Sequence, residues 1–356
     1  MSMQIPATMQ AAVYRGANDL RLETVPVPPI SSDEMLVKVG ACGVCPTDIK
    51  KIQYATVLPP RIFGHETAGT IVRLGARVRK FRVGQPVALH HHVPCMRCHA
   101  CRHRAFAQCA GYKRTGITAG FEPAGGGYAE YVRVLPFVFP GIVRIPAKNA
   151  LLEGAMLEPV NTVLKAVRRL PLLRGDNVVV LGQGPIGLLF TALLNLLGAN
   201  VLATDFLEPR LKLARAMGAK WVLRADDPKL VQLAKDLGGK LGFDAAIVCA
   251  PSDDAVLQAQ QIINGAGKVL LFAHTRRGAL TPLDLAVICV DEKDLIGSYS
   301  SDFTLQAEVA RLVFSRRLDV RKVISHQFPL TEAAAAIHLA AHPTPDSLKI
   351  VVCPSG

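Results

Sequence analysis

The stretch Asn177–Thr204, NVVVLGQGPIGLLFTALLNLLGANVLAT, carries no charged residue and constrains the fold more than any other part of the chain. It approaches the length of a membrane span. Gly182, Gly184, Pro185, Gly187 and Gly198 interrupt it, however, and Gln183 and Asn195 lie inside it. A strand, a tight turn, a buried helix and a second strand account for it better. The turn reads Gly182-x-Gly184-x-x-Gly187, and Asp205 ends the second strand. A GxGxxG run alone is weak. Set between the strand and helix it requires, with an acidic residue closing the next strand, it is a dinucleotide-binding fingerprint. The first glycine permits the turn, and the second lets backbone approach a pyrophosphate. The helix N-terminus, at Pro185 and Ile186, stabilises that charge. Asp205 is expected to accept hydrogen bonds from the adenosine ribose and to repel a 2′-phosphate, favouring NAD over NADP. Arg210 stands near enough to complicate that preference and is assigned to the solvated face of the EPRLKLA helix. An adenylate or flavin ligand is the alternative. Gly218 reads as an ordinary helix stop.

Around this unit the texture of the chain changes. Up to about residue 150, runs such as EMLVKVGA, GTIVRLG, PVALHHHV and YAEYVRVL are punctuated by glycine and proline, which predicts an irregular antiparallel β domain. From about residue 160, apolar strands (NVVVLG, ANVLATD, KWVLRA, FDAAIVCA, GKVLLFAH) alternate with helical stretches such as EPRLKLARAMGA and DDAVLQAQQIING. That alternation predicts a parallel sheet flanked by helices. Beyond residue 300, FTLQAEVARLVFS and LTEAAAAIHLAAH read as amphipathic helices and SLKIVVC as a closing strand. A chain of 356 residues is long enough for two cores.

The loop PCMRCHACRHRAFAQC places Cys95, Cys98, Cys101 and Cys109 at spacings that suit a closed tetrahedral Zn²⁺ site. Such a site leaves no position for substrate, so its role would be to stiffen a lobe. An iron-sulfur cluster is the competitor. His90, His91, His92, His99 and His103 lie nearby and are read as strand or surface residues rather than ligands. The opening MSMQIPATMQAAVYRG lacks the features of an export signal, so a cytoplasmic protein is expected, in which short cysteine spacings mean metal or redox chemistry rather than disulfides.

A second constellation combines CGVCPTDIK with FGHE further on, supplying Cys45, His65 and Glu66. Thiolate, imidazole and carboxylate with one place left open are what a catalytic zinc needs. Cys42 could pair with Cys45 as a redox motif, but His65 and Glu66 downstream favour Cys45 as ligand and Cys42 as a packed thiol. Thr47 could carry a proton between an alcohol and solvent, or simply bond backbone in a turn. Asp48 could orient a ligating imidazole, or cap the helical turn. Glu158, in LEPVNTV at the boundary between the two textures, is costly to bury without a cation; the metal and a basic side chain are rival partners.

The formal net charge is +13, but the basic residues are scattered, among them Arg73, Arg77, Arg79, Arg168, Arg169, Arg276, Arg277, Arg316 and Arg317. No basic-aromatic stripe emerges, so a solvated surface is expected rather than a nucleic-acid interface. A smaller effect would be attraction of anionic cofactors.

With GHE, CGVC-x-TD, the four-cysteine loop and GQGPIG, the chain resembles the zinc-dependent medium-chain dehydrogenases over nearly all its length. The resemblance implies an α/β protein. A GroES-like β-rich catalytic domain, residues 1–158 and 298–356, would be completed around a doubly wound Rossmann domain, residues 159–297. It implies two zinc ions per chain. One would be catalytic, held by Cys45, His65 and Glu158 with Glu66 as an alternate or additional ligand. The other would be structural, on the four cysteines. Lys349 matches a basic position near the cofactor phosphates. Glu158 followed by proline resembles the polyol branch, which includes sorbitol dehydrogenases, although the segment from Asp48 to Phe63, which helps wall the substrate pocket, is shorter than is typical there. The implied activity is NAD-linked, reversible oxidation of a secondary alcohol to a ketone, with Thr47 relaying the proton and domain closure excluding water. A homodimer or homotetramer acting on a small alcohol, without nucleic acid or membrane, is implied. A threonine-type amino-alcohol dehydrogenase and a zinc-stabilised nucleotide-binding protein without turnover are the alternatives.

Overall fold

Short β-branched runs in the first part of the chain pair into sheets in the computed structural model, which describes residues 4–90, 93–111, 125–273, 278 and 280–354. His91, His92, Arg276 and Arg277 lie outside the described residues. Two compact units emerge: Met1–Asn161 with Ser301–Gly356, and Thr162–Ser300.

In the first unit, strand Met35–Gly43 runs antiparallel to both Glu66–Leu74 and Tyr131–Val134. Pro86–His90 continues the sheet beyond Glu66–Leu74. The runs EMLVKVGA, GTIVRLG, PVALHHHV and YAEYVRVL contribute Val37, Val39, Ile71, Val87 and Val132, all completely buried, and Tyr14 and Tyr128 fill the same core. The closing strand Lys349–Cys353 pairs antiparallel with Met35–Gly43 and parallel with Ile324–Pro329. That parallel pair lies beyond the first 150 residues, for which an antiparallel domain is expected. Helix Ala333–Ala341 lies between its two strands in sequence, and a crossover of this kind returns the chain in the same direction.

Register is what builds the site. Gly43 pairs with Glu66 and Cys42 with Thr67, while Val351 pairs with Gly43 and Val352 with Cys42. The CGVC, GHE and SLK segments therefore meet at one end of one sheet.

The second unit holds a six-stranded sheet in the order Trp221–Arg224, Asn200–Asp205, Asn177–Leu181, Phe243–Val248, Ile263–Leu271, Asp294–Gly297. Every pairing in it is parallel. Numbered within the unit this is 3-2-1-4-5-6, the doubly wound order whose first strand leads into a phosphate-binding turn. Helix Pro185–Leu197 follows that strand and ends at Gly198, whose φ of 89° is the left-handed cap that glycine adopts without cost. Gly218, at φ +103°, likewise follows the end of helix Glu208–Ala216. Helix Asp253–Ile262 stops three residues short of the expected DDAVLQAQQIING, because Ile263 already pairs with Phe243 as the start of the next strand. Among the described residues no helix is long and apolar enough to cross a membrane.

Candidate active site

Cys45 sits at the N-cap of helix Pro46–Tyr54, with extended backbone (φ −107°, ψ 139°) and Pro46 opening the helix. Proline is well placed there, since the missing N–H would have had no intrahelical partner. The helix returns Asp48 and Ile49 N–H groups to the Cys45 carbonyl at 3.0 and 3.2 Å. Thr47 is thereby held so that its hydroxyl donates to Cys45 Sγ at 3.1 Å. Both residues are partly exposed, so this corner of the cluster opens outward.

Donor atoms of Cys45, His65 and Glu66 all lie within 4.8 Å of one another. Asp48, completely buried, places Oδ2 3.2 Å from His65 Nδ1. A carboxylate facing Nδ1 fixes the ring so that Nε2 can serve as the metal-binding nitrogen, the arrangement that orients a metal-ligating imidazole. Burial alone would raise the Asp48 carboxyl, but the His65 imidazole outweighs it and holds the group below its ordinary value. Burial would lower His65, and the Asp48 carboxylate and Cys45 thiolate instead raise it well above its ordinary value. A thiolate and carboxylates gathered around one imidazole in a buried corner are a donor set that fits a divalent cation such as Zn²⁺.

Glu66 is clamped from the closing strand. Lys349 Nζ donates to Glu66 Oε1 at 2.6 Å and to the Val44 carbonyl at 2.8 Å, and it also pairs with Glu66 Oε2. The family resemblance led to an expectation of Lys349 near cofactor phosphates; its ammonium is engaged here, inside the Cys45–His65–Glu66 corner. Gly43 makes this possible. A Cβ there would stand 1.9 Å from Glu66 Oε2 and 2.8 Å from Lys349 Cε. Glu158 is buried in the first turn of helix Leu157–Val167 and lies outside the group of three mutually close donors. Burial lifts its carboxyl to about 7, with His65 pulling it down and Glu66 pushing it up. Cys42 is a packed thiol, wholly buried with Sγ 3.4 Å from Thr67 Oγ1.

Two contributors escaped the sequence reading. Tyr128 donates to the Gly43 carbonyl at 3.3 Å and stands 3.5 Å from Asp48 Oδ2. Gly43 is the other. For Tyr128 the available signal was the preceding glycine run, where Gly126 and Gly127 pass so close to Phe63 and Cys42 that no side chain fits.

The four sulfurs of Cys95, Cys98, Cys101 and Cys109 also lie within 4.8 Å of one another. Cys98 caps and Cys101 lies within the short helix His99–Arg102, Cys109 directly follows the turn Phe106–Gln108, Cys95 precedes both, and Phe106 packs edge-on against Phe303 at 5.7 Å. Backbone N–H groups of Arg97 and Cys98 bring the Cys95 thiol down to about 6, and burial pushes Cys101 up to about 12. The lobe's own apolar cluster is small, built from Cys101, Phe106, Ala107 and Cys109. His99 and His103 are exposed and stand outside the sulfur group, as does buried His90.

In the second unit Gly182 takes φ +94°, and a Cβ on Gly187 would lie 1.8 Å from the Gly182 carbonyl oxygen. Space above Gly184 is open. Gln183, fully buried, ties the turn to strand and helix: its Nε2 donates to Val180 O at 3.0 Å, and Thr191 Oγ1 donates to its Oε1 at 2.9 Å. Asp205 accepts the Gln183 N–H at 2.7 Å and the Leu207 N–H at 3.0 Å. Arg210 does not belong to the solvated face. Its side chain is only 15% exposed and brings Nη1 4.0 Å from Asp205 Oδ2, because the carboxylate at the end of the neighbouring strand attracts it.

The family model described as alcohol dehydrogenase GroES-like domain matches residues 31–146, and that described as zinc-binding dehydrogenase matches residues 185–315. The chain is 29% identical to a sorbitol dehydrogenase of Bacillus subtilis (strain 168), covering all of both chains. It is 31% identical to a sorbitol dehydrogenase of Bombyx mori, over 93% of this chain and 94% of that one. A structure from Sinorhizobium meliloti 1021, provisionally described as a zinc-binding dehydrogenase and bound to NADP, superposes with a TM-score of 0.89. It is 27% identical and covers 98% of this chain and 100% of its own.

Proposed function

The chain belongs to the zinc-dependent alcohol dehydrogenase family, and from that premise we propose that it oxidises a secondary alcohol of a polyol-like substrate reversibly to a ketone, with NAD as hydride acceptor. The observation that carries this reading is the convergence of Cys45, His65 and Glu66 beside the Thr47 hydroxyl at a partly exposed corner. When bound, zinc polarises the alcohol oxygen as a Lewis acid and the nicotinamide of NAD accepts hydride.

Cys45, His65 and Glu66 would hold the catalytic metal. Asp48 fixes the imidazole tautomer, and Tyr128 steadies Asp48. The Thr47 hydroxyl, between Cys45 and the exterior, passes the alcohol proton outward. Lys349 sets the position of the Glu66 carboxylate, and Glu158 lends a further carboxylate to the same pocket. Cys95, Cys98, Cys101 and Cys109 would hold a second, structural zinc. In the Rossmann unit, each oxygen of Asp205 keeps a lone pair after its backbone bond and accepts the adenosine ribose hydroxyls. Its charge disfavours a 2′-phosphate, which supports NAD over NADP. Gly182, Gly184, Pro185, Ile186 and Gly187 receive the pyrophosphate, and Arg210 flanks the adenosine end.

Two copies of the chain pair through helix Leu285–Val290, none of whose residues is buried, beside the edge strand Asp294–Gly297. All nine cysteines are free, in keeping with a reducing cytoplasmic compartment. The test is NADH formation by zinc-loaded protein across polyols, threonine and simple alcohols, with NAD and NADP in parallel. Oxidation of polyols that is abolished by Cys45→Ser is expected. Turnover undiminished in Cys45→Ser overturns the reading.

A further inference from the structure

The basic residues are spread along the whole chain, but the acidic ones are not. From Thr67 to Gly111 the sequence carries eight lysines and arginines and no aspartate or glutamate, in a chain whose formal net charge is +13. Among the described residues, Arg77 alone of the eight pairs with a carboxylate, that of Asp33 at 3.8 Å. Aromatic contacts fasten this stretch to its surroundings in the first unit: Phe81 packs edge-on against Phe139 at 5.4 Å, and Phe106 of the sulfur lobe meets Phe303. Phe81 and Phe303 both line a groove of about 680 Å³, together with Ile142, Lys80, Arg144 and Arg311, and no carboxylate lines it. A second groove, of about 610 Å³, shares Arg311 and adds Lys148 and Arg317, with Glu308 as its one acidic residue. All five of these cations are exposed, and no residue of either groove belongs to the Cys45–His65–Glu66 corner. Val83 and Met96, next in sequence to Arg82 and Arg97, are 61% and 55% exposed.

Cations gathered without carboxylates of their own suit an anionic partner. Each exposed pair contributes little alone, but a field of one sign draws an oppositely charged chain and fixes where it lands. Walls made by Phe81, Ile142 and Phe303 add a place for apolar side chains. A second copy of this chain would bring the same positive charge. Nucleic acid bases need exposed rings to stack on, and the aromatic residues between Thr67 and Gly111, Phe81 and Phe106, are buried. A lipid surface is too flat to enter a groove. We infer that this face docks an acidic polypeptide segment of a partner protein, whose carboxylates meet Lys80, Arg144 and Arg311 while apolar side chains between them enter the groove. The surface is separate from alcohol oxidation.

The experiment follows the fluorescence anisotropy of a fluorescein-labelled peptide of repeated Glu-Glu-Leu on the zinc-loaded full chain, in low and high sodium chloride. Saturable binding is expected at low salt, and its loss at high salt. Lys80→Glu combined with Arg311→Glu should weaken the Kd by about tenfold or more, with NADH formation unchanged. Lys80→Gln and Arg311→Gln, which remove each cation without reversing it, should each weaken the Kd about threefold. Lys235→Glu combined with Lys240→Glu makes the same change of charge on exposed residues of the second unit and should leave the Kd as it was. A peptide of repeated Glu-Glu-Gly should bind about fivefold or more weakly than the leucine peptide, because nothing fills the groove. Absence of saturable binding, equal loss in the two double variants, or equal binding of the glycine peptide overturns the proposal. A short DNA duplex or phosphatidylserine vesicles bound more tightly than the leucine peptide overturn the choice of partner and assign the face to nucleic acid or lipid.

Discussion

Gly43 shows how one absent side chain serves a buried ion pair. With Glu66 and Lys349 packed over its α-carbon, Gly43→Ala forces a methyl group into the carboxylate. Overpacking of this kind is expected to cost about 2 kcal/mol, read from urea denaturation, together with weaker zinc retention in a competition assay. A second buried pair lies elsewhere in the same unit, where Arg133 reaches Glu34 at 2.7 and 2.9 Å. Burial would raise the Glu34 carboxyl, but the Arg133 guanidinium and the Ser31 N–H outweigh it and hold the group below its ordinary value. The carboxyl therefore titrates lower in the folded chain than in the unfolded one. Its contribution to stability is complete above the ordinary glutamate value and fades as pH falls through the depressed one. Denaturation midpoints of wild type and Arg133→Met should accordingly differ most near neutrality and converge in acid. A difference that grows in acid would contradict this account. Cys45 and His65 were legible as residues because few roles need thiol and imidazole together near Thr and Asp. Arg210 was misread because a polar helix face in sequence does not reveal a carboxylate on the next strand.

At the scale of elements, the Gly-rich turn works through contact between strand, turn and helix. Gly187→Ala drives a methyl group against the Gly182 carbonyl and separates helix Pro185–Leu197 from the turn. NADH affinity, followed by cofactor fluorescence, should fall by about tenfold or more, with the first unit's zinc content unchanged. The cysteine lobe depends on its metal in another way. Cys101, Phe106, Ala107 and Cys109 form too small a cluster to hold the segment alone. Chelation that strips the lobe should open it to protease between Cys95 and Cys109 and lower the melting temperature, since metal binding to such a site is folding free energy. Both elements were visible in advance because each is written in contiguous residues. The parallel strand pair Ile324–Pro329 and Lys349–Cys353 was not, because strand direction depends on where a crossover helix returns the chain.

For the molecule as a whole, association is expected through the second unit. Leu285 and Val290 are 72% and 80% exposed on a short helix that buries nothing of its own, a large apolar exposure for a monomer. Leu285→Glu combined with Val290→Lys should convert a dimer to a monomer in light scattering after size exclusion. A wild-type protein that is already monomeric would refute this interface.

The amino-acid sequence by itself determined the two textures of the chain, the dinucleotide turn, the sulfur lobe and the identity of Cys45, His65 and Glu66 as partners. Each is encoded in local periodicity or in short spacing between chemically distinctive residues. Only the tertiary structure decided that Lys349 clamps Glu66, that Gly43 must lack a side chain, that Tyr128 steadies Asp48, that Glu158 stands apart from the three mutually close donors, and that Arg210 turns to Asp205. Those relations depend on the register between strands far apart in sequence and on where side chains from separate segments meet, and no local pattern encodes either.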